Sequence, residues 1–236
     1  MQAFILCGGL GTRLRSVIQD RPKPMALVAG KPFLEYLLCF FRRYGFNDII
    51  LSTGYRGEFF ADYFGDGSAW QLKIRYSHET MPLGTGGALK LAEPLLRDEA
   101  VLVANGDSFF DADLTRLLAA HAHAGALATL ALAQVADTER YGAVTIDDRG
   151  CITAFNEKAA AGPGVINGGI YLIHSFLLAR IPAAQMVSLE REVFPSLIGD
   201  AFYGVPFNGY IVDIGTAESY RQICAAPEQL LTATGY

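Results

Sequence analysis

Short apolar runs alternate with amphipathic stretches through the first half of the chain, and this alternation is what most restricts its fold. AFILC precedes PFLEYLLCFFRRYG, DIILSTG precedes the segment before FGDG, KIRYSH precedes GGALKLAEPLLRD, and AVLVANGD precedes ADLTRLLAAHAHAG. Strand-length runs separated by helix-length stretches signal a parallel sheet with helices on both faces. The later runs ALATLALAQV, YGAVTID, CITAFNE and GVINGGIYLI carry the sheet on, with antiparallel or accessory strands over the mouth of a site. EREVFPSLIGD reads as a helix, AFYGVPF and YIVDIG as strands, and AESYRQICAAPEQLL as helical segments. The expected fold class is α/β: a three-layer α/β/α, Rossmann-like, doubly wound sheet, mixed but mainly parallel. No linker, charge run or repeat divides the 236 residues, so one domain over 1–236 is expected.

Composition removes several function classes. With 24 acidic against 19 basic side chains the net charge is −5, which argues against a nucleic-acid partner. At 51% hydrophobic and 18% charged the chain can build a real core, so disorder is excluded. The apolar start runs at once into glycines, Arg13 and Arg15, unlike a secretory signal, and no later window is apolar enough for a membrane span. Cys7, Cys39, Cys151 and Cys224 form no CxxC pair and read as buried reduced thiols. A soluble cytoplasmic protein without a membrane partner is expected.

The first strand ends directly in Gly8, Gly9, Leu10, Gly11, Thr12, Arg13. Glycines at the carboxyl end of a sheet strand let backbone N–H groups close around an anion, although such a turn is as often a tight connection. GxGxxG would need glycine at Leu14, and a Walker A loop would need Lys followed by Ser or Thr; neither spelling is present. Instead Pro22, Lys23, Pro24, Met25 follow, and the two prolines stiffen the backbone on either side of the lysine.

GGLGTRL followed by PKPM resembles the signature of the sugar-1-phosphate nucleotidylyltransferases. The resemblance covers most of the chain: GTGGA at 84–88, NGD at 105–107, Tyr141 with Gly142, NEK at 156–158, NGG at 167–169 and DIGT at 213–216 come in the family order. Within the family, PKPMALVAGKPFLEYLL and the NEK, NGG, DIGT series look most like the D-glycero-alpha-D-manno-heptose 1-phosphate guanylyltransferases. The resemblance implies a glycosyltransferase-A-like nucleotidyltransferase fold. It also implies attack of a sugar phosphate oxygen on the α-phosphorus of a nucleoside triphosphate, with diphosphate leaving. That chemistry must gather cations around crowded negative charge.

The residues that suit the task are spread along the chain. Leu6, Gly8, Gly9, Gly11, Thr12 and Arg13 belong to the nucleotide loop, with Arg13 suited to the departing phosphates. Lys23 matches the family lysine, a point charge between the α-phosphate and the incoming sugar phosphate. Asp107 and Asp213 follow apolar strands, and the resemblance gives both as ligands of Mg²⁺, which takes one or two carboxylates plus substrate phosphates. Without it, a strand-end Asp reads as a turn former or cap. Asp111 and Asp113 rival Asp107, and Asp113 before LTRLLAAH reads better as an N-cap.

For the nucleoside, Gly84, Thr85 and the glycines after them permit close backbone approach and open a helix that would aim N–H groups at it; Gly106 joins them from NGD. Glu79, an acceptor only, complements the paired donors of guanine, which favours GTP. For the sugar, the resemblance implies Tyr141, Gly142, Glu157, Lys158, Asn167 and Gly169, with Asn167 offering both donor and acceptor.

The partners expected are a nucleoside triphosphate and a sugar 1-phosphate, with a homo-oligomer left open. A mannose-1-phosphate guanylyltransferase, a UTP- or dTTP-dependent enzyme for glucose-type or amino-sugar phosphates, and a non-catalytic nucleotide-sugar sensor are the alternatives. His121 and His123, two apart on one helix, share no face and are unsuited to metal ligation. The chain stops soon after DIGT, so a bare catalytic domain is expected.

Overall fold

A computed structural model describes residues 1–9, 14, 17–138, 143–156 and 162–236. The elements in chain order are β1 (Gln2–Leu6), β2 (Leu27–Val28), β3 (Lys31–Pro32), α1 (Phe33–Arg43), β4 (Asp48–Thr53), α2 (Glu58–Phe64), β5 (Lys73–His78), α3 (Gly84–Leu91), β6 (Ala100–Asn105), β7 (Ser108–Phe110), α4 (Leu114–Ala124), β8 (Ala128–Val135), β9 (Ala143–Ile146), β10 (Ile152–Asn156), β11 (Gly164–His174), α5 (Phe194–Ser196), β12 (Phe202–Phe207), β13 (Ile211–Asp213), α6 (Ala217–Ala225) and α7 (Glu228–Thr234).

The central sheet runs β10-β9-β11-β6-β1-β4-β5, with β8 on the other edge of β11 and β12 beside β8. β1 pairs in parallel with β4 and β6, and β4 with β5. Leu6 is level with Ser52 and with Asn105, so three strands reach their carboxyl ends together. Open α/β sheets bind ligands at that edge. β11 then runs antiparallel to β6, β8 and β9, so a parallel half and an antiparallel half share one sheet. A separate ribbon, β7 with β13, pairs Asp213 with Ser108 and so brings DIGT beside NGD.

Helix α1 is the expected PFLEYLLCFFRRYG helix, and Phe33 through Phe41 are all buried along it. Even Glu35 is only 3% exposed, because Lys31, Tyr63 and Tyr236 all donate to its carboxylate. A buried carboxylate is tolerated when its oxygens are satisfied, and here it ties α1 to α2 and to the residue beyond α7. Helix α4 is capped as expected, Asp113 accepting from Arg116 N at 3.1 Å, with Gly125 left-handed at its end.

Two expectations need correcting. EREVFPSLIGD is not one helix: Leu189–Val193 form a π-helical turn and only Phe194–Ser196 continue as α-helix. The cysteines are free but not all buried; Cys151 is half-buried and Cys224, on α6, is exposed, with its thiol towards Leu27 O. Among the described residues no helix is long and apolar enough to cross a membrane.

Candidate active site

The carboxyl ends of β1, β5 and β6 open into a cleft of about 630 Å³, lined at one end by Leu6, Gly8, Gly9, Glu79 and Gly84. Gly8 leaves room for Glu79: a Cβ there would sit 2.5 Å from Glu79 Oε1 and push the carboxylate aside. Glu79 is held from two sides, Oε1 accepting from Ser52 Oγ and Oε2 from Leu83 N, both at 3.0 Å. Each carboxylate oxygen has two lone pairs, so Glu79 keeps acceptor capacity towards the cleft. Gly106 is not on the lining. Its N–H donates to Leu6 O, and a side chain would strike Cys7 Sγ, so it serves the close approach of β6 to β1. Cys7 itself is buried, and burial, then the Asp107 carboxylate, pushes its thiol up and keeps it protonated.

The glycines of α3 do something other than aim N–H groups at a nucleoside. Gly86 N and Gly87 N both donate to Val187 O, at 2.9 and 3.2 Å. A Cβ on Gly84 would lie 2.5 Å from that same carbonyl, and one on Gly87 would overlap Gln185 O. Close approach is real, but its partner is the 185–187 backbone. Gly84 and Thr85 still line the cleft.

At the centre Lys23 Nζ donates to Asp107 Oδ2 at 2.5 Å. Pro22 is extended and Pro24 lies within the 3₁₀ turn Lys23–Met25, so the lysine leaves a backbone fixed on both sides. Its side chain is 10% exposed and that of Asp107 is 39% exposed. Asp213 Oδ1 accepts from Gly215 N at 2.7 Å, and Gly215 lines the cleft beside Lys23. A Cβ on Gly215 would lie 2.5 Å from Asp213 Oδ1 and 3.4 Å from Lys23 Nζ, so ammonium and both carboxylates converge there.

At the far end NGG forms a bulge in β11. Asn167 pairs with Leu132 but Tyr171 with Leu130, four residues against two. Gly169 has φ +75°, and Gly168 would overlap the Phe110 ring with any side chain. The bulge sets Asn167 on the lining with Tyr171, Asn105 and Glu190. Tyr171 and Glu190 were not legible as site residues. A tyrosine inside the apolar strand GGIYLIH needs a partner for its hydroxyl, which is the one signal that could have found it; Glu190 carried none. Gly11, Thr12, Arg13, Tyr141, Gly142, Glu157 and Lys158 lie outside the described residues.

A cleft at the carboxyl edge of a parallel sheet, with a proline-braced lysine between two strand-end aspartates, is built to meet phosphates. Residues 2–229 match the family described as nucleotidyl transferase. The chain belongs to the nucleotidyl transferase family. This nucleotidyl transferase is 41% identical to the D-glycero-alpha-D-manno-heptose 1-phosphate guanylyltransferase of Campylobacter jejuni over 93% of its own length and 97% of that protein's. It is also 41% identical to the mannose-1-phosphate guanylyltransferase of Mycobacterium tuberculosis, over 93% of its own length and 62% of that protein's. A crystal structure of HddC from Yersinia pseudotuberculosis superposes with a TM-score of 0.85 at 32% identity, over 95% of this chain and 98% of that one. A second crystal structure of HddC, complexed with GMP-PN, superposes at 0.84. The Campylobacter jejuni and Mycobacterium tuberculosis proteins are both named guanylyltransferases and differ in the sugar.

Proposed function

We propose that this nucleotidyl transferase moves a guanylyl group from GTP to D-glycero-alpha-D-manno-heptose 1-phosphate, releasing diphosphate and GDP-heptose. The observation that carries the reading is the 41% identity, over nearly the whole of both chains, with a heptose 1-phosphate guanylyltransferase, together with Lys23 held in the cleft. A phosphate oxygen of the sugar bonds to the α-phosphorus, and the bond from that phosphorus to the β-bridging oxygen breaks. The nucleophile is already an anion, so the protein's task is alignment and charge balance.

Lys23 supplies a cation where α-phosphate and sugar phosphate meet. Its pairing with Asp107 holds the ammonium in the cleft before substrate arrives, so little ordering is left for the reaction itself. Glu79 offers acceptors to the paired guanine donors at the nucleoside end. Arg13, Gly11 and Thr12 complete the triphosphate loop, Gly106 supports it from β6, and Tyr141, Gly142, Glu157 and Lys158 complete the sugar pocket with Asn167 and Gly169. One catalytic domain, 1–236, acting in the cytoplasm suffices for the reaction.

Asp107 and Asp213 suit Mg²⁺. Among the described residues no three His, Cys, Asp or Glu side chains gather to hold a metal. Two hard oxygen donors at adjoining strand ends are the protein share of a site that Mg²⁺ completes with phosphates and water. When bound, the ion neutralises phosphate charge. On the protein side Asp107 would exchange Lys23 for the metal and so free the ammonium for the phosphates.

The test is diphosphate release with GTP, UTP, dTTP, CTP and ATP, each against heptose-, mannose- and glucose-type sugar 1-phosphates, with and without Mg²⁺. Release confined to GTP with the manno-configured heptose, and abolished by a chelator, is expected. Preference for UTP or dTTP would discard Glu79 as a guanine reader. Preference for mannose 1-phosphate would keep the donor and replace the sugar. Asp107→Asn and Asp213→Asn should each demand more Mg²⁺ for half-maximal rate; an unaltered metal titration in both would assign the ion to other groups.

A further inference from the structure

Three segments far apart in sequence meet in one hydrogen-bond chain along the wall of the cleft. Gly169 N donates to Asn167 Oδ1 and Asn167 Nδ2 donates to Tyr171 OH, both at 2.9 Å. Tyr171 OH donates to Glu190 Oε1 at 3.3 Å. The other oxygen of that carboxylate, Oε2, accepts from Thr85 Oγ1 at 2.7 Å and Ser188 Oγ at 3.0 Å. Thr85 Oγ1 accepts in turn from Leu189 N at 2.8 Å. Glu190 sits on the π-helical turn Leu189–Val193 and lines the cleft.

The direction of every proton in the chain follows from its end. A carboxylate accepts and cannot donate, so Tyr171 must give its proton to Glu190 and meet Asn167 with an oxygen lone pair. Tyr171 is fully buried, and burial followed by the Glu190 charge keeps its phenol protonated. Asn167 must therefore turn its NH₂ to Tyr171, which leaves its carbonyl to Gly169 N. Its amide is locked from both sides. One Nδ2–H remains, on a residue that lines the cleft.

We propose that Glu190 is a positioning residue: through Tyr171 it fixes Asn167 as a hydrogen-bond donor to an oxygen of the sugar 1-phosphate, and through Thr85 it fastens that sugar end to the first turn of α3 at the nucleotide end. The proposal rests on the functional reading above, in which this end of the cleft takes the acceptor sugar. It revises the simpler expectation that Asn167 offers donor and acceptor alike.

Glu190→Gln tests the polarity with almost no change of shape. Two hydroxyls donate to Oε2 and one to Oε1, so the amide oxygen faces Thr85 and Ser188 and the NH₂ faces Tyr171. Tyr171 then meets a donor where it used to find an acceptor, so its own proton must turn elsewhere and the bond that locks the Asn167 amide is weakened. The KM for heptose 1-phosphate at saturating GTP and Mg²⁺ should rise about tenfold, the weight of one hydrogen bond. The dissociation constant of GTP, measured calorimetrically without sugar, should stay within about twofold, a shift well below one hydrogen bond. Tyr171→Phe should raise the same KM, and adding Glu190→Gln to it should raise it no further.

Three results would overturn the proposal: an unchanged sugar KM in Glu190→Gln, an equal rise in the GTP constant, or full additivity with Tyr171→Phe. Should Glu190→Gln fail to fold, Asn167→Asp carries the same question, because it keeps the shape and removes the donor. Sugar binding as in wild type would then sink the idea. The functional reading fails separately, in the wild-type protein, through a different preferred nucleotide or sugar; the variants are then compared on that pair.

Discussion

The two ends of the cleft are built by opposite means. At the end we propose for the nucleotide, backbone does the work: β1, β4 and β6 stop level with one another, and Gly84 lets the Val187 carbonyl approach to a distance that no side chain would allow. At the end we propose for the sugar, side chains do it: Asn167, Tyr171, Glu190 and Thr85 orient one another, with Thr85 and Glu190 separated by 105 positions. Lys23 and Asp107 stand where the two meet. A site formed by backbone tolerates exchange of its side chains but no added volume; a site formed by a directed hydrogen-bond chain tolerates volume better than a change in the sense of a donor.

Lys23→Ala is the hardest blow to this division, because it removes the group both ends share. kcat should fall on the order of a hundred- to a thousandfold, as for loss of one donor aimed at developing phosphoryl charge, while GTP still binds. Single-turnover diphosphate release beside calorimetric GTP binding separates these. Turnover within a few-fold of wild type would mean that the two ends are joined by some other cation.

How much of this was legible follows the same division. The parallel half and its glycine loop could be read because each strand and its loop are contiguous in sequence, and β1 running into Gly8 and Gly9 is a local pattern. Asp107 and Asp213 were paired only through the family order, and β7 and β13 bring their strand ends together. The misread parts share a cause. Gly86 and Gly87 were expected to aim N–H groups at a ligand, but both donate to Val187 O, about a hundred positions away and invisible to spacing. Glu190 fell in a stretch read as one regular helix, because a π-turn has no spelling that its first residues reveal.

A pair of glycine substitutions sharpens the claim that backbone shapes the nucleotide end. Gly84 has φ +69° and meets Val187 O, so Gly84→Ala combines a left-handed backbone with overlap and should destabilise by about 2–4 kcal/mol. Among the described residues nothing lies within 4 Å of a Cβ added at Gly9, and Gly9→Ala should change stability by less than about 0.5 kcal/mol. Urea midpoints of the two variants decide it. Equal midpoints would mean that the 185–187 segment moves aside freely and that the wall of the cleft is softer than drawn.

The smallest effect expected belongs to the antiparallel half, behind the sugar end. His121 on α4 is buried, and its ring shares a hydrogen bond with Thr129 Oγ1 on β8 at 2.9 Å. Burial, and to a lesser extent His174, holds its pKa below the ordinary histidine value. Protonation therefore favours the unfolded chain. The stability that neutral His121 contributes is fully present above about pH 6.5, the unfolded value, and declines as pH falls below it. Thermal midpoints at pH 7.5 and 5.5 should show a decline for wild type that is smaller in His121→Gln, which keeps a hydrogen-bonding side chain but does not titrate. Because β8 pairs with β11 at Leu132 and Asn167, a loosened α4–β8 contact should reach the sugar end first. The sugar KM should then rise on acidification before the GTP constant moves, and a simultaneous rise in both would show that the two ends of the cleft share one stability after all.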